Sequence, residues 1–74
     1  MSEITMENKS FEAIANRVQN HGRVDEWGTW HLGHWTYRVT DGGMTQIITN
    51  SDIGIAYHRN WKNEITGEIL GTHA

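Results

Sequence analysis

The clearest pattern in this sequence is the stretch GHWTYRVTDGG at positions 33–43, which is followed by MTQIITN at positions 44–50. In the first stretch, aromatic or aliphatic residues alternate with polar ones, as in a strand that buries one face. The Asp41-Gly42-Gly43 triplet is typical of a hairpin turn. The pattern therefore predicts two antiparallel strands, at about 33–40 and 44–50.

The alternation resumes after this hairpin. Asn50-Ser51-Asp52 predicts a second turn, and apolar residues at every second position predict a third strand at about 53–59. The small residues between them, Gly54 and Ala56, leave space on the other face of this strand, and we expect the helix to pack there. Three strands joined by tight turns would form an antiparallel meander.

The stretches on either side of the meander have weaker patterns. Residues 23–30 predict a fourth strand, with a bend at Gly28 or at Leu32-Gly33. Residues 60–70 fit either a short strand that turns at Asn63-Glu64 or a frayed helix. Ile65, Ile69 and Leu70 suit helical spacing, but Thr66-Gly67 between them weakens a helical prediction.

The first third of the chain has a helical period. Its apolar residues recur at spacings of three and four, at Phe11, Ile14, Ala15 and Val18. This stripe predicts an amphipathic helix at about 5–20. Thr5 or Ser10 would cap its start, and Gly22 would close it in the left-handed conformation.

Together these elements predict a single α+β domain over residues 1–74, with one N-terminal helix packed on a three- to four-stranded antiparallel meander. A chain of 8.5 kDa has room for only one small domain. The chain has few aliphatic residues, so we expect aromatic residues to form much of the core. A homodimer would bury further apolar surface and is one of the expected partnerships.

Composition excludes several classes of protein. The chain has no cysteine and a formal charge of −3, which excludes a disulfide scaffold or thiolate zinc site and disfavours a cationic nucleic-acid binder. It has no apolar run near the roughly 20 residues that span a bilayer, and its first ten residues do not resemble a secretory signal. The expectation is a soluble cytoplasmic protein that does not bind membranes.

The most unusual segment is DEWGTWHLGHW at positions 25–35, which holds three of the four tryptophans and two of the five histidines. A core this small can hardly enclose four indoles and satisfy each N–H group, so we expect one or two to be exposed. Exposed aromatic residues with charged neighbours are typical of protein interfaces. The predicted contact surface has Trp27, Trp30, Trp35, Tyr37 and Trp61 as anchors and Arg38, Arg59, Asp25 and Glu26 as its rim.

Two other binding chemistries compete with this interpretation. The same aromatic residues could stack on the bases of a single-stranded nucleic acid, although the net negative charge would repel phosphates. His31, His34 and His58, with Asp25 or Glu26, could bind a metal ion. In an extended chain, however, the first two histidines point to opposite faces, so we predict neither a metal ion nor a cofactor.

The sequence contains no recognisable catalytic motif. His58, beside Tyr57 and Arg59, is the only candidate for acid–base chemistry, and we predict no enzymatic activity. The preferred hypothesis is a small, acidic, non-catalytic protein that binds a larger protein through an aromatic-rich surface. Phages and other mobile elements encode inhibitors and modulators of host machines of this kind. The alternative is a single-stranded nucleic-acid or nucleoprotein-associated module that uses tryptophan and tyrosine stacking.

Overall fold

The structure is a computed structural model that describes residues 5–70. Within them it contains one α-helix, α1 (Asn8–His21), and a single 3-10 turn at Asp41–Gly43. The strands are β1 (Arg23–Val24), β2 (Trp30–Leu32), β3 (Trp35–Thr40), β4 (Thr45–Asn50), β5 (Ile55–Arg59) and β6 (Ile65–Ile69). In this part of the chain no helix has the length and apolar character needed to cross a bilayer.

The strands form one sheet in which each strand pairs antiparallel with the next along the chain, in the order β1-β2-β3-β4-β5-β6. The α+β class and the antiparallel meander are therefore confirmed, but the predicted number of three to four strands is wrong. The stretch predicted as one strand at 23–30 contains β1, a loop and the first residue of β2. The tail, for which strand and helix were both open, forms β6.

The central strands lie close to their predicted positions and begin one or two residues later. Asn50 hydrogen-bonds the backbone N–H groups of Asp52 and Ile53, which confirms the second turn. In the first turn, Gly42 and Gly43 have φ values of 65° and 101°. Glycine adopts this region without the steric cost that a side chain would add, and this explains the Gly-Gly pair.

The helix begins three residues later than predicted and ends one residue later. Its N-cap is Glu7, and no side chain caps it, so the predicted caps Thr5 and Ser10 are wrong. Gly22 ends the helix in an extended conformation, with φ of −93°, instead of the predicted left-handed one. A Cβ atom at this glycine would lie 2.5 Å from the carbonyl oxygens of Val18 and His31, so the close approach of β2 explains the residue.

The core lies between α1 and one face of the sheet, and three of its six buried residues are aromatic. It consists of Phe11, Ala15 and Val18 of the helix and Tyr37, Ile48 and Tyr57 of the central strands. The last three are direct cross-strand neighbours. The prediction that the helix packs over Gly54 and Ala56 is wrong, because the face that carries the two tyrosines offers far more apolar surface.

The opposite face of the sheet is polar. Its central rows include Thr36, Arg38, Thr49 and His58, while Ile47 and Ala56 are shielded between these neighbours. Within residues 5–70 no element packs over this face.

Candidate partner-binding surface

One end of the sheet exposes three large apolar side chains. In a meander, alternate connections lie at the same end of the sheet. The β1–β2, β3–β4 and β5–β6 turns therefore form a row along one end. These turns carry Trp27, Met44 and Trp61, whose relative exposures are 80%, 58% and 68%. We call these three residues the tryptophan end. The prediction that one or two tryptophans are exposed is confirmed for Trp27 and Trp61.

The loop that carries Trp27 is fixed by Asp25. The Oδ1 atom of Asp25 accepts hydrogen bonds from the backbone N–H groups of Trp27 and Thr29, each at 2.9 Å. The backbone N–H of Asp25 donates to the Thr29 carbonyl at 2.9 Å, and that of Gly28 donates to the Asp25 carbonyl at 3.2 Å. Two backbone–backbone hydrogen bonds and two hydrogen bonds to the Asp25 side chain thus order the loop at residues 25–29.

The loop that carries Trp61 has the same hydrogen bonds. The Oδ1 atom of Asn60 accepts from the backbone N–H groups of Lys62 and Glu64, each at 2.9 Å. The backbone N–H of Asn60 donates to the Glu64 carbonyl at 3.0 Å, and that of Asn63 donates to the Asn60 carbonyl at 2.9 Å. The fourth residue has a positive φ in both loops, 85° at Gly28 and 64° at Asn63.

The two matched loops present their indoles with different neighbours. Trp27 is the third residue of its loop and follows Glu26, which is exposed. Trp61 is the second residue of its loop, and the Nζ atom of Lys62 lies 5.1 Å from the centre of its ring. The helix start is tied to this second loop, because the Asn8 side chain donates to the Asn63 carbonyl at 2.8 Å. Both aromatic side chains therefore project from ordered backbone.

Electrostatics reinforce the first loop. The Nε2 atom of His31 on β2 lies 2.8 Å from Oδ2 of Asp25. This hydrogen bond, followed by those from the backbone N–H groups of Thr29 and Trp27, lowers the pKa of Asp25 below its ordinary value of 3.8. The charged carboxylate is the form that accepts all three bonds, so it is the form that orders the loop.

Four of the predicted anchor and rim residues are buried or partly buried instead of lying on this surface. Trp30 and Trp35 are partly buried against the core. Tyr37 is a core residue, and its hydroxyl accepts a hydrogen bond from Nε2 of Gln46. Arg59, placed in the rim by its charge, is buried instead.

The Arg59 guanidinium occupies a polar pocket under the helix start. Its Nε and Nη2 atoms donate to Oε1 of Gln46, at 3.0 and 2.7 Å, and Nη1 donates to Oδ1 of Asn8 at 3.2 Å. The group also lies 4.6 Å from the centre of the Phe11 ring. These contacts make Arg59 a structural residue that joins α1 to β4 and β5.

Of the remaining rim residues, Asp25 and Glu26 lie in the Trp27 loop, beside the tryptophan end. Arg38 is exposed but lies on the polar face of β3. The stacking platform predicted for nucleic acid does not form, because Trp30, Trp35 and Tyr37 are on the helix side of the sheet.

The three histidines considered as metal ligands lie apart from one another and have different partners. His31 bonds to Asp25, His58 bonds to Glu68 with 3.1 Å between Nε2 and Oε1, and His34 lies near Ser51 in the turns at the other end of the sheet. Across residues 5–70, no three histidine or acidic side chains are grouped so that they could hold a metal ion. The residues considered for acid–base chemistry do not form a site either. Tyr57 and Arg59 face the helix, whereas His58 faces the opposite side of the sheet.

Sequence reasoning missed Met44 and the matched loops. The signal was present as Asp or Asn followed three residues later by Gly or Asn, at Asp25-Gly28 and Asn60-Asn63. Asp and Asn side chains bond nearby backbone N–H groups, and Gly and Asn tolerate positive φ.

No protein-family model, curated protein or solved structure matches this chain.

Proposed function

We propose that this chain is a non-catalytic cytoplasmic protein that docks onto a larger protein through the tryptophan end. The observation that supports this is the pair of exposed indoles, Trp27 and Trp61, on two loops with the same hydrogen bonds. The exposed parts of these rings contribute little to this chain's own core. Exposed aromatic residues of this type dominate binding energy in protein interfaces.

Burial of both indoles would supply a gain of the same size as the cost of association. A tryptophan that becomes fully buried removes roughly 200 Å² from water, which at about 25 cal/mol/Å² is ~5 kcal/mol before other costs. Association itself costs about 4–15 kcal/mol, so both indoles must contribute. Their ordered loops lower the entropy lost on binding.

The spacing of the loops fits a protein surface. Four strand spacings separate the β1–β2 hairpin from the β5–β6 hairpin, or about 19 Å at ~4.8 Å per strand. Met44 lies between them. A partner needs two pockets at this separation, which is within the dimensions of a standard interface. A small binding protein with this equipment is suited to inhibit or modulate a host machine, as a phage- or mobile-element-encoded accessory protein would.

The test is affinity capture from a lysate of the native host, with mass spectrometry of the co-purified proteins. We expect one abundant prey to be retained by the wild-type protein and lost with the W27A/W61A double variant. The matched control is I53A, since Ile53 is 58% exposed at the other end of the sheet. Equal recovery of that prey with the double variant would contradict the proposal.

A further inference from the structure

The strand β6 leaves one of its edges without a partner among residues 5–70. It is the last strand of the sheet and pairs only with β5. An edge strand presents unpaired N–H and C=O groups that can pair with another chain. With five residues, Ile65–Ile69, β6 is the longer of the two sheet edges, since β1 at the other edge has two.

The hydrogen bonds to β5 identify the free groups. Asn60 donates to Glu64 and Leu70 donates to Gly54, and both bonds join directly opposed residues. Hydrogen-bonded and non-hydrogen-bonded pairs alternate along an antiparallel ladder. The N–H and C=O groups of Ile65, Gly67 and Ile69 therefore point away from β5.

The devices that usually protect an edge strand are missing here. Natural edges carry prolines, lysines, bulges or inward-pointing charges. The chain has no proline, and the register with β5 is continuous from Ile65 to Ile69 without a bulge. The one charged residue of the strand, Glu68, bonds to His58 of β5, so its carboxylate is drawn away from the edge.

We propose that β6 pairs antiparallel with β6 of a second copy of this chain, about a twofold axis at Gly67. The strand sequence, Ile65-Thr66-Gly67-Glu68-Ile69, is self-complementary in this register. Gly67 lies opposite Gly67 of the partner subunit, and Ile65 lies opposite Ile69 of the partner subunit. All three free N–H groups of each copy then meet a free carbonyl, which gives a continuous sheet of two copies.

The side chains fit the same register. Ile65, Ile69 and the neighbouring Ile55 lie on the helix side of the sheet, and Ile69 is 63% exposed. In the dimer, each Ile69 contacts Ile65 of the partner subunit, and the apolar surface of the two edges becomes continuous. On the polar face, Thr66 lies opposite Glu68 of the partner subunit.

The self-complementary register favours a second copy over other occupants of the edge. Pairing of β6 with β1 of another copy would use only two residues of β1 and would leave further edges open, which generates filaments. The twofold arrangement closes after two copies. It leaves the tryptophan end uncovered, so this inference stands independently of the proposed function.

Sedimentation velocity of the whole protein, from low micromolar to millimolar concentration, tests the dimer. We expect the mass to rise from 8.5 kDa toward twice that value. The variant I69K should remain monomeric over this range, whereas the matched control I53K should dimerise as the wild type does. A wild-type protein that stays monomeric at millimolar concentration, or equal loss of dimer in both variants, would overturn the proposal.

Cysteine cross-linking tests the register, since the natural chain has no cysteine. Directly opposed non-hydrogen-bonded residues have Cα atoms about 4.5 Å apart, within disulfide range, and diagonal neighbours are at about 7–8 Å. A mixture of T66C and E68C proteins should therefore form a disulfide-linked dimer at least tenfold faster than either protein alone. Equal or faster cross-linking of T66C alone would show that the strands do not pair about Gly67.

Discussion

Asp25 is the residue on which the order of the Trp27 loop depends most. Its carboxylate accepts from two backbone N–H groups and bonds to His31. Its pKa is lowered in the folded protein, so the carboxylate binds its proton more weakly there than in the unfolded chain. Linkage then requires that this contribution to stability is present above the ordinary pKa of 3.8 and is lost as pH falls through the lowered folded value.

The expected result is an acid-induced loosening of the Trp27 loop that precedes global unfolding. The protection factors of the Trp27 and Thr29 amides, measured by NMR relative to the intrinsic exchange rate at each pH, should fall in the wild type as pH is lowered past 3.8. In D25A, which removes the acceptor oxygen, the same amides should already be poorly protected at neutral pH, with little further dependence on this titration. E26Q is the control, because Glu26 is the exposed neighbouring acid. Wild-type-like protection in D25A would disprove this role.

Single-residue patterns predicted local conformation better than long-range contact. The glycines of the first hairpin turn were identified correctly, since their φ values follow from the turn itself. Gly22 was assigned to the correct place for the wrong reason. The space for a Cβ atom at Gly22 is taken by the His31 carbonyl, whose position depends on how β2 returns beside the helix. No local sequence pattern indicates that return. Arg59 was misplaced for the same reason, because its neutral partners lie 13 and 51 residues away.

At the scale of elements, periodicity found those that are long enough to show a period. The helix and the strands β3, β4 and β5 were placed within three residues. Strands of two or three residues, such as β1 and β2, show neither alternation nor a helical stripe. The strand β6 was ambiguous because Gly67 interrupts its alternation. The loops next to β1, β2 and β6 carry Trp27 and Trp61, so the elements that were hardest to predict hold two of the three residues of the tryptophan end.

The Trp61 loop should depend on Asn60 as the Trp27 loop depends on Asp25. N60A removes the acceptor of two backbone N–H groups and the donor to Glu64. We expect a loss of about 1–2 kcal/mol in the free energy of unfolding, because the abandoned N–H groups lose their partner. Urea denaturation measures this loss, and amide exchange at Lys62 and Glu64 locates it.

The matched control for this loop is N63G, which keeps the backbone bonds and suits the positive φ of 64° at this position. Its unfolding free energy should stay within about 1 kcal/mol of the wild type. If N60A proved no more destabilising than N63G, the side-chain bonds would not be what orders the loop.

On the scale of the whole molecule, the small size of the core explains why some tryptophan side chains remain exposed. One 14-residue helix packs on a six-stranded sheet, and it lies mainly over β1 to β4. Two of the four tryptophans contact this core and two extend from its end. The count of indoles against interior volume was available from the sequence, but which two would be exposed was not. The exposure of each tryptophan depends on the conformation of the loops and on which face of the sheet the helix covers.

The same architecture favours a protein over a nucleic acid as the partner of this chain. The polar face has no tryptophan, tyrosine or phenylalanine among its paired positions in residues 23–69. The hairpins that carry Trp27 and Trp61 are four strand spacings, or about 19 Å, apart, which is far more than the distance between adjacent stacked bases. The net charge of −3 adds repulsion of phosphates. Titration with a single-stranded oligonucleotide at low salt should therefore leave tryptophan fluorescence unchanged. Saturable, salt-sensitive quenching that disappears in the W27A/W61A variant would reverse the assignment and make the tryptophan end a stacking site.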